Sequence, residues 1–322
     1  LARKLERAGT ILDPMTGEPL ITVAICTRNR AASLDRAVRS VMPQLDAQTH
    51  LVIVDNGSTD NTADVIATLR SECASIRSVR EERPGISVAR NRALAEAPGR
   101  FVLFLDDDEM ASANWLASYR KFLMSPDATR AGCVGGPTVP HHEVPQPDWI
   151  EADYGFFNLF LGRQIAPTGK NPGAGNCAYA RRTALALGGF AEDLARHEDS
   201  ELSERLRRNG HEVWWLPDAQ VRHMIPAGRF AWSVQWRLAW ADGRATPPLR
   251  LREISSPSAR RLWLLKRFAL GIPQVACQVL LAGVAFLCGR RRNAARLMLR
   301  AARNAAMVAV SAGKFFARDV MG

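Results

Sequence analysis

Residues 101–110, FVLFLDDDEM, constrain this chain more than any other stretch. Phe101 to Leu105 is an uninterrupted apolar run, of the length that suits a strand buried on both faces of a sheet. Four carboxylates follow at once: Asp106, Asp107, Asp108 and Glu109. Like charges crowded at the mouth of a buried strand repel one another, and withdrawing them from water is costly. A divalent cation resolves both difficulties. An oxygen-rich ligand set suits Mg²⁺ or Mn²⁺, ions that keep coordination positions open for phosphate oxygens. In open α/β sheets, ligands bind beyond the carboxyl ends of the strands, where these acids would lie. The competing explanation is an acidic turn or helix N-terminus that merely favours negative charge.

Upstream, the chain alternates strand and helix. ITVAIC (21–26) reads as a strand, and Thr27-Arg28-Asn29-Arg30 as a polar turn. SLDRAVRSVMPQ follows with Leu34, Val38, Val41 and Met42 at helical spacing and Ser33 as N-cap. LVIVD (51–55) is a second buried strand, closed by the turn DNGSTDNT. A helix is expected over 62–70, a short strand over 75–81, a break at Pro84-Gly85 and a helix over 86–97. This order predicts an α/β fold with a mixed, mostly parallel central sheet. Two strands end in a carboxylate, Asp55 and Asp106. Alone, Asp55 reads as an Asx-turn or a helix cap; the pair points to a shared ligand. No GxGxxG or GxxxxGK[ST] loop is present, so a phosphorylated ligand here needs metal rather than a glycine nest.

TVAICTRNR, LVIVDNGSTDNT, GISVARNRAL and FVLFLDDDE, in that order and spacing, resemble the nucleotide-sugar half of family 2 glycosyltransferases with the GT-A fold. The resemblance implies a nucleotide-diphosphate sugar donor. Thr27, Arg28 and Asn29 would line the nucleotide pocket, Asp55 would accept a hydrogen bond from the base, usually uracil, and Arg90 and Asn91 would flank the nucleotide. Asp106 and Asp108 match the DxD pair: Asp108 for the metal, Asp106 for ribose, metal or both. Asp107, between them, joins the donor-binding set.

The second half is less regular. SANWLASYRKFLM reads as a helix and AGCVGGPTVP (131–140) as a strand. Residues 140–170, rich in Pro and aromatics, read as a substrate-side loop or lid, with His141 and His142 a solvated pair rather than metal ligands. NPGAGNCAYARRTALALGGF (171–190) resembles the family's acceptor-side segment, where small residues permit close backbone approach. In HEDSELSERLRRNG (197–210), Leu202 and Leu206 share a face and Gly210 suits a helix C′ position. Glu198 and Asp199 sit at the start of that helix. Capping of the dipole explains them as well as function does. The resemblance makes Asp199 the catalytic base, with Glu198 the fallback. HEVWWLPDAQVRHMIP reads as a strand pair, and His223 falls where many members place a third metal ligand. Trp232, Trp236 and Trp240 form one helical stripe, read first as core packing and second as a membrane belt.

The charge balance divides the chain. Twelve of the 43 Lys and Arg lie in 255–322 against a single acid, Asp319, so the +11 net charge belongs to this tail and the remainder is formally neutral. A nucleic-acid enzyme would carry basic groups around its working cleft. Residues 268–289 hold no charge, yet Lys266-Arg267 and Arg290-Arg291-Arg292 flank them on both sides, which a single span would not favour. We therefore expect two helices, 260–288 and 293–317, lying as a hairpin on an anionic leaflet. The alternatives are a true span, or helices that pack on the catalytic domain or on another subunit as a homo-oligomer. The six cysteines show no CxxC spacing and read as free thiols in a reducing compartment. The first ten residues are too polar for a signal peptide.

The expected organisation is a leader (1–20), a GT-A domain (21–250, its nucleotide-sugar half 21–110 and acceptor half 111–250) and a basic helical tail (255–322). The resemblance implies an inverting, Mn²⁺- or Mg²⁺-dependent transferase, similar to succinoglycan-type exopolysaccharide glucosyltransferases. It would use a UDP-hexose and a lipid-linked or saccharide acceptor, as a peripheral or monotopic enzyme on the cytoplasmic face of the bacterial inner membrane. Two rivals are a sugar nucleotidyltransferase and a non-catalytic membrane scaffold that keeps the fold.

Overall fold

The computed structural model describes residues 19–46, 49–151 and 165–316. The leader and the centre of the expected lid, 152–164, lie outside the described residues, save for 19–20 in the leader. By compactness the chain divides into two units. Of the described residues, one takes 19–46, 49–141, 165–193 and 198–224, and the other 142–151, 194–197 and 225–316.

The first unit is built on the expected alternation. β1 (Ile21–Thr27), β2 (His50–Asp55), β3 (Ile76–Arg80) and β4 (Phe101–Leu105) lie parallel in the order β3-β2-β1-β4. The helices α1 (Ala31–Val41), α2 (Thr62–Glu72) and α3 (Ile86–Glu96) link them. Ser33, expected as the first N-cap, instead lies inside the first turn of α1, whose cap position is Arg30. Beyond β4 the sheet continues through β9 (Asn176–Ala180), β6 (Ala131–Gly135), β10 (Glu212–Trp215) and β8 (Ala166–Pro167). β9 runs antiparallel to β4 and β6, so the sheet is mixed and mostly parallel, as expected.

β4 is buried on both faces. Phe101, Leu103 and Leu105 enter one core cluster, and Val102 and Phe104 the other, following the two-residue period of a strand. Phe104 meets Phe190 edge-on at 5.5 Å and Tyr179 at 6.0 Å. Each such pair contributes ~0.5–1.5 kcal/mol beyond area burial. This packing fixes the end of β4, and with it the acids that follow.

Three expectations change in the second half. The stretch 131–140, read as one strand, is two. β6 lies in the large sheet, and β7 (Thr138–His142) in a small one of order β5-β11-β7, where β5 is Glu109–Ala111 and β11 is Val221–Ile225. The chain changes sheet at Gly135-Gly136-Pro137. A Cβ on Gly136 would lie 2.1 Å from the carbonyl oxygen of Ala219, so the backbones pass too closely for any side chain. Likewise the two strands expected over 211–226 both form, but not as a pair: β10 joins the large sheet and β11 the small one. His141 and His142 end β7 rather than lying in a loop, and the His142 ring sits edge-on to Phe230 at 5.5 Å.

The second unit is helical. α7 (Trp232–Glu253) runs through Pro247 and Pro248, α8 covers Pro257–Leu287, and α9 covers Arg291–Phe316 and packs along both. Small residues set that packing: Ala294, Ala301, Ala302 and Ala306 are buried, and a Cβ on Gly243 would meet the Arg303 carbonyl oxygen at 2.0 Å. The Trp stripe of α7 is not a core stripe. Trp232 and Trp240 are 43% and 37% exposed. α8 is long and apolar enough to cross a membrane by length and composition, and only 17% of its most apolar stretch is buried, unlike a soluble core helix.

Candidate active site

The carboxyl ends of β1, β2 and β4 carry the sequence-predicted residues to one rim of the first unit. At β2, Asp55 is buried. Its Oδ1 accepts from the Ser58 amide at 2.9 Å and its Oδ2 from Arg80 at 2.9 Å. At β1, the Thr27 hydroxyl donates to Asp107 Oδ2 at 2.7 Å. Asn29 takes the left-handed conformation (φ 53°), which Asn tolerates better than most side chains. Its Oδ1 accepts from the Thr59 amide at 2.7 Å and its own amide donates to Ser58 Oγ at 3.0 Å, tying the two turns together. Arg28 is exposed beside it.

After β4 the four acids diverge. Asp106 turns to Arg90 (2.9 Å), while Asp107 and Asp108 share one nitrogen of Arg30 at 2.9 and 2.8 Å. Glu109 is buried, accepting from the Thr138 hydroxyl at 3.3 Å. The small sheet brings in His223. β11 pairs antiparallel with β5 in a register that sets His223 opposite Glu109, and the Met224 amide donates to the Asp108 carbonyl at 2.8 Å. His223 Nε2 then lies 3.7 Å from Asp108 Oδ2.

The electrostatics follow from burial. Burial pushes the Asp107 carboxyl up to about 6 against the pull of Arg30 and Thr27. Burial also works against ionisation of Asp108, but hydrogen bonding and charge from His223, with Arg30, outweigh it and hold that group at about 2. Glu109 is raised well above its ordinary range by burial and by the charges of Asp106 and Asp108. Six carboxylates (Asp106 to Glu109, Glu198 and Asp199) thus face two guanidiniums, Arg30 and Arg90, and one imidazole.

Arg90 joins the two ends of the site. Buried on α3, it donates to Asp106 and also to Glu198, the first residue of α6 (Glu198–Arg208). Burial raises Glu198, Arg90 opposes this, and the neighbouring Asp199 adds to it. Asp199 is half-buried. Its Oδ2 accepts from the Ala174 amide at 3.1 Å, and its Oδ1 from Ser200 at 2.6 Å. The next residue, Gly175, accepts from the Asp106 amide at 3.2 Å, and a Cβ on it would fall 2.6 Å from Asp106 Oδ2. Two consecutive residues therefore touch both acids. Asn91 sits one position beyond Arg90, and its amide is engaged with both backbone groups of Phe190 at 2.7 and 2.9 Å.

The expected metal set of Asp106, Asp108 and His223 is only partly assembled. Asp108 and His223 stand together while Asp106 faces Arg90, and among the described residues no three such side chains converge on one point. Hard oxygens, one imidazole and an excess of negative charge still fit a divalent cation. The sequence reading passed over Arg30, Asn56 and Arg80. Asn56 donates to the carbonyls of Glu81 and Arg83 and accepts from the Gly85 amide, closing the loop before α3. The second arginine of TRNR was the available signal for Arg30. Nothing in the sequence singled out the other two.

The model of the family described as "Glycosyl transferase family 2" matches residues 22–186, from β1 through α5 (Arg181–Ala186). The chain belongs to glycosyl transferase family 2. Glu198, Asp199 and His223 of this glycosyltransferase fall outside the matched span. The enzyme is 27% identical over 298 residues to the succinoglycan biosynthesis protein ExoM of Rhizobium meliloti, covering 89% of this chain and 91% of that one. It is 28% identical over 217 residues to the O-antigen chain rhamnosyltransferase WbaN of Salmonella anatum, covering 64% and 66%. Among solved structures, it superposes with a TM-score of 0.62 on the mannosyltransferase PcManGT from Pyrobaculum calidifontis, in complex with GDP-Man and Mn²⁺, at 21% identity and over 96% and 92% of the two chains. The glycosyltransferase therefore has the GT-A fold.

Proposed function

We propose that the enzyme transfers a hexosyl group from a UDP-hexose, with inversion at the anomeric carbon, to a lipid-linked or saccharide acceptor in cell-surface polysaccharide synthesis. One observation carries this reading: Arg90 ties the acids after β4 to the acids that open α6, so a donor-side and an acceptor-side carboxylate share one rim. The likeness to a succinoglycan biosynthesis protein supports the pathway class.

In this reading Thr27, Arg28, Asn29 and Asp55 hold the nucleotide, with Asp55 oriented in advance by Ser58 and Arg80. Asp108 and His223, with Asp106 beside them, would hold Mn²⁺ or Mg²⁺; when bound, the ion supplies Lewis acidity at the departing diphosphate. Asp199 is the base. Each of its oxygens keeps a lone pair beyond the amide hydrogen bond it accepts. It takes the acceptor hydroxyl proton while that oxygen bonds the anomeric carbon, and the carbon–oxygen bond to the diphosphate breaks with its electron pair leaving on the nucleoside diphosphate. Arg90 holds Asp106 and Glu198 in place.

The exposed apolar face of α8 and its basic flanks support a hairpin of α8 and α9 lying in the interface of an anionic leaflet, on the cytoplasmic face. The test is binding of a panel of nucleotide-sugars to purified protein with and without Mn²⁺. Metal-dependent binding of one UDP-sugar is expected. No binding of any, with folded protein and metal present, overturns the donor reading and favours a scaffold.

A further inference from the structure

The second unit contains a cavity of about 950 Å³ at the turn between α8 and α9. That volume is at the upper end of the ~300–1,000 Å³ typical of ligand sites. Its walls are chemically unlike one another. The indoles of Trp149 and Trp232 form one side, their centroids 5.6 Å apart. Arg290, Arg291 and Arg292 form the other, with Asn293 beyond them. Among the described residues of the lining Asp148 is the single acid, so together they are net positive.

Several other arginines on the helices of this unit pair with carboxylates: Arg303 with Asp242, Arg300 with Glu151, Arg250 with Glu253. Among the described residues, Arg290, Arg291 and Arg292 have no carboxylate partner, although all three are exposed at one turn. The aromatic wall, in contrast, is held in place. Arg296, one turn along α9, donates to the carbonyls of Asp148 (2.8 Å), Trp149 (3.2 Å) and Ile150 (2.8 Å). A preformed aromatic wall facing a guanidinium triplet is the recognition chemistry of a sugar joined to phosphate. Guanidinium forks bind phosphate oxygens, and the apolar face of a pyranose packs on exposed indole.

A third feature decides what carries the phosphate. The apolar surface of α8 runs up to this turn: Leu280, Val284, Phe286 and Leu287 are 69%, 50%, 60% and 85% exposed. Hydrocarbon lying along α8 would end at the arginines. We propose that this cavity binds the phosphate or diphosphate headgroup of a glycolipid, its chain along the exposed face of α8 and its first sugar against Trp149 and Trp232. The proposal rests on the lipid-linked acceptor reading above, and makes it specific by naming the residues of the second unit that would hold the acceptor lipid.

The experiment measures sedimentation of the full chain with phosphatidylcholine vesicles. One set is doped with a polyprenyl diphosphate, and another with phosphatidylglycerol at matched surface charge. The wild type should prefer the first by at least about tenfold in Kd. Arg290→Ala/Arg291→Ala/Arg292→Ala should abolish that preference, whereas Arg260→Ala/Arg261→Ala/Lys266→Ala, at the far end of α8, should lower binding to both vesicles and keep it. Trp149→Ala should weaken binding of a glycosylated polyprenyl diphosphate more than of the bare one. An unchanged preference in the triple variant overturns the proposal, as does equal binding of both vesicles by the wild type. If soluble pyrophosphate binds the cavity as tightly as the doped vesicle, the lipid commitment falls. Nucleotide-sugar binding, read in parallel, is expected to persist in all variants. Its loss in the wild type would instead indict the donor reading.

Discussion

Arg90 and Glu198, 108 residues apart in the chain, form a buried hydrogen-bonded ion pair, and the same guanidinium reaches Asp106. Both partners are below a tenth exposed. Removing one member of such a pair strands the other charge away from water, which costs ~3–5 kcal/mol, far more than the pair itself contributes. Arg90→Met should therefore lower the midpoint of thermal unfolding sharply. Adding Glu198→Gln should recover part of the loss. A double variant no more stable than the single would show that Glu198 is not the stranded group.

For Asp199→Asn the expectation differs. The side chain keeps its size and can still accept from Ala174 or Ser200, so stability and donor Kd should change little. If Asp199 is the base, kcat should fall by ~10²–10⁴-fold. Single-turnover transfer measured beside nucleotide-sugar binding separates the two, and normal turnover would remove Asp199 from that role.

Metal dependence is testable through Asp108 and His223, 3.7 Å apart. Asp108→Ala should abolish Mn²⁺-stimulated donor binding. His223→Gln should raise the Mn²⁺ concentration needed by at least ~10–100-fold, the range found when groups that merely orient metal ligands are altered. A titration of donor binding against Mn²⁺ reads both, and chelator should return the wild type to its metal-free level.

Acid stability of the second unit should depend on Asp242. Hydrogen bonding from His197 (3.0 Å) lowers its pKa below the ordinary 3.8, and Arg303 (2.6 Å) and Arg196 (3.9 Å) add to this while burial opposes it. A depressed folded pKa means the stabilisation is complete above 3.8 and is lost as pH falls through the folded value. Asp242→Asn should flatten that acid limb. Helical ellipticity against pH, from about 5 down to about 2, measures it.

Close packing of α7 on α9 gives a further test. Gly243→Ala would push a methyl against the Arg303 carbonyl and should cost ~1–3 kcal/mol by overpacking. At Gly228 an added Cβ meets nothing within 4 Å, so Gly228→Ala is the matched control in chemical denaturation.

The parts of this molecule that were legible in the sequence share a cause. β1, β2 and β4 announce themselves because strands buried on both faces are near-continuous apolar runs, and LVIVD and FVLFL end in acids where the sheet opens, whereas β3, IRSVR, is a half-buried edge strand. The two halves of the α8–α9 hairpin were visible because a charge-free run stands between basic clusters. The division of 131–140 between two sheets was hidden. Gly135, Gly136 and Pro137 mark a break, but which sheet each side joins is decided by β9 and β11, remote in sequence. The Trp stripe of α7 misled for a related reason, since helical spacing states that three rings share a face and not whether anything covers it. At the site, carboxylates were legible from their clustering, whereas Arg30, Asn56 and Arg80 act through partners that only the folded chain supplies.

Asn176 shows what this arrangement means for cooperativity. Its Oδ1 accepts from Trp115 Nε1 (2.7 Å) and Tyr119 Oη (2.9 Å), and its Nδ2 donates to the carbonyls of Pro137 (3.0 Å) and Ala219 (2.7 Å). That is the full capacity of one amide. The donors lie on α4 (Trp115–Leu123), Asn176 opens β9 of the large sheet, and Pro137 and Ala219 precede two strands of the small one. One side chain, buried at 1% exposure, thus cross-links three layers of the first unit. The small sheet that carries His223 cannot loosen alone without orphaning buried groups, so the rim of acids should open to hydrogen exchange only when the whole unit does.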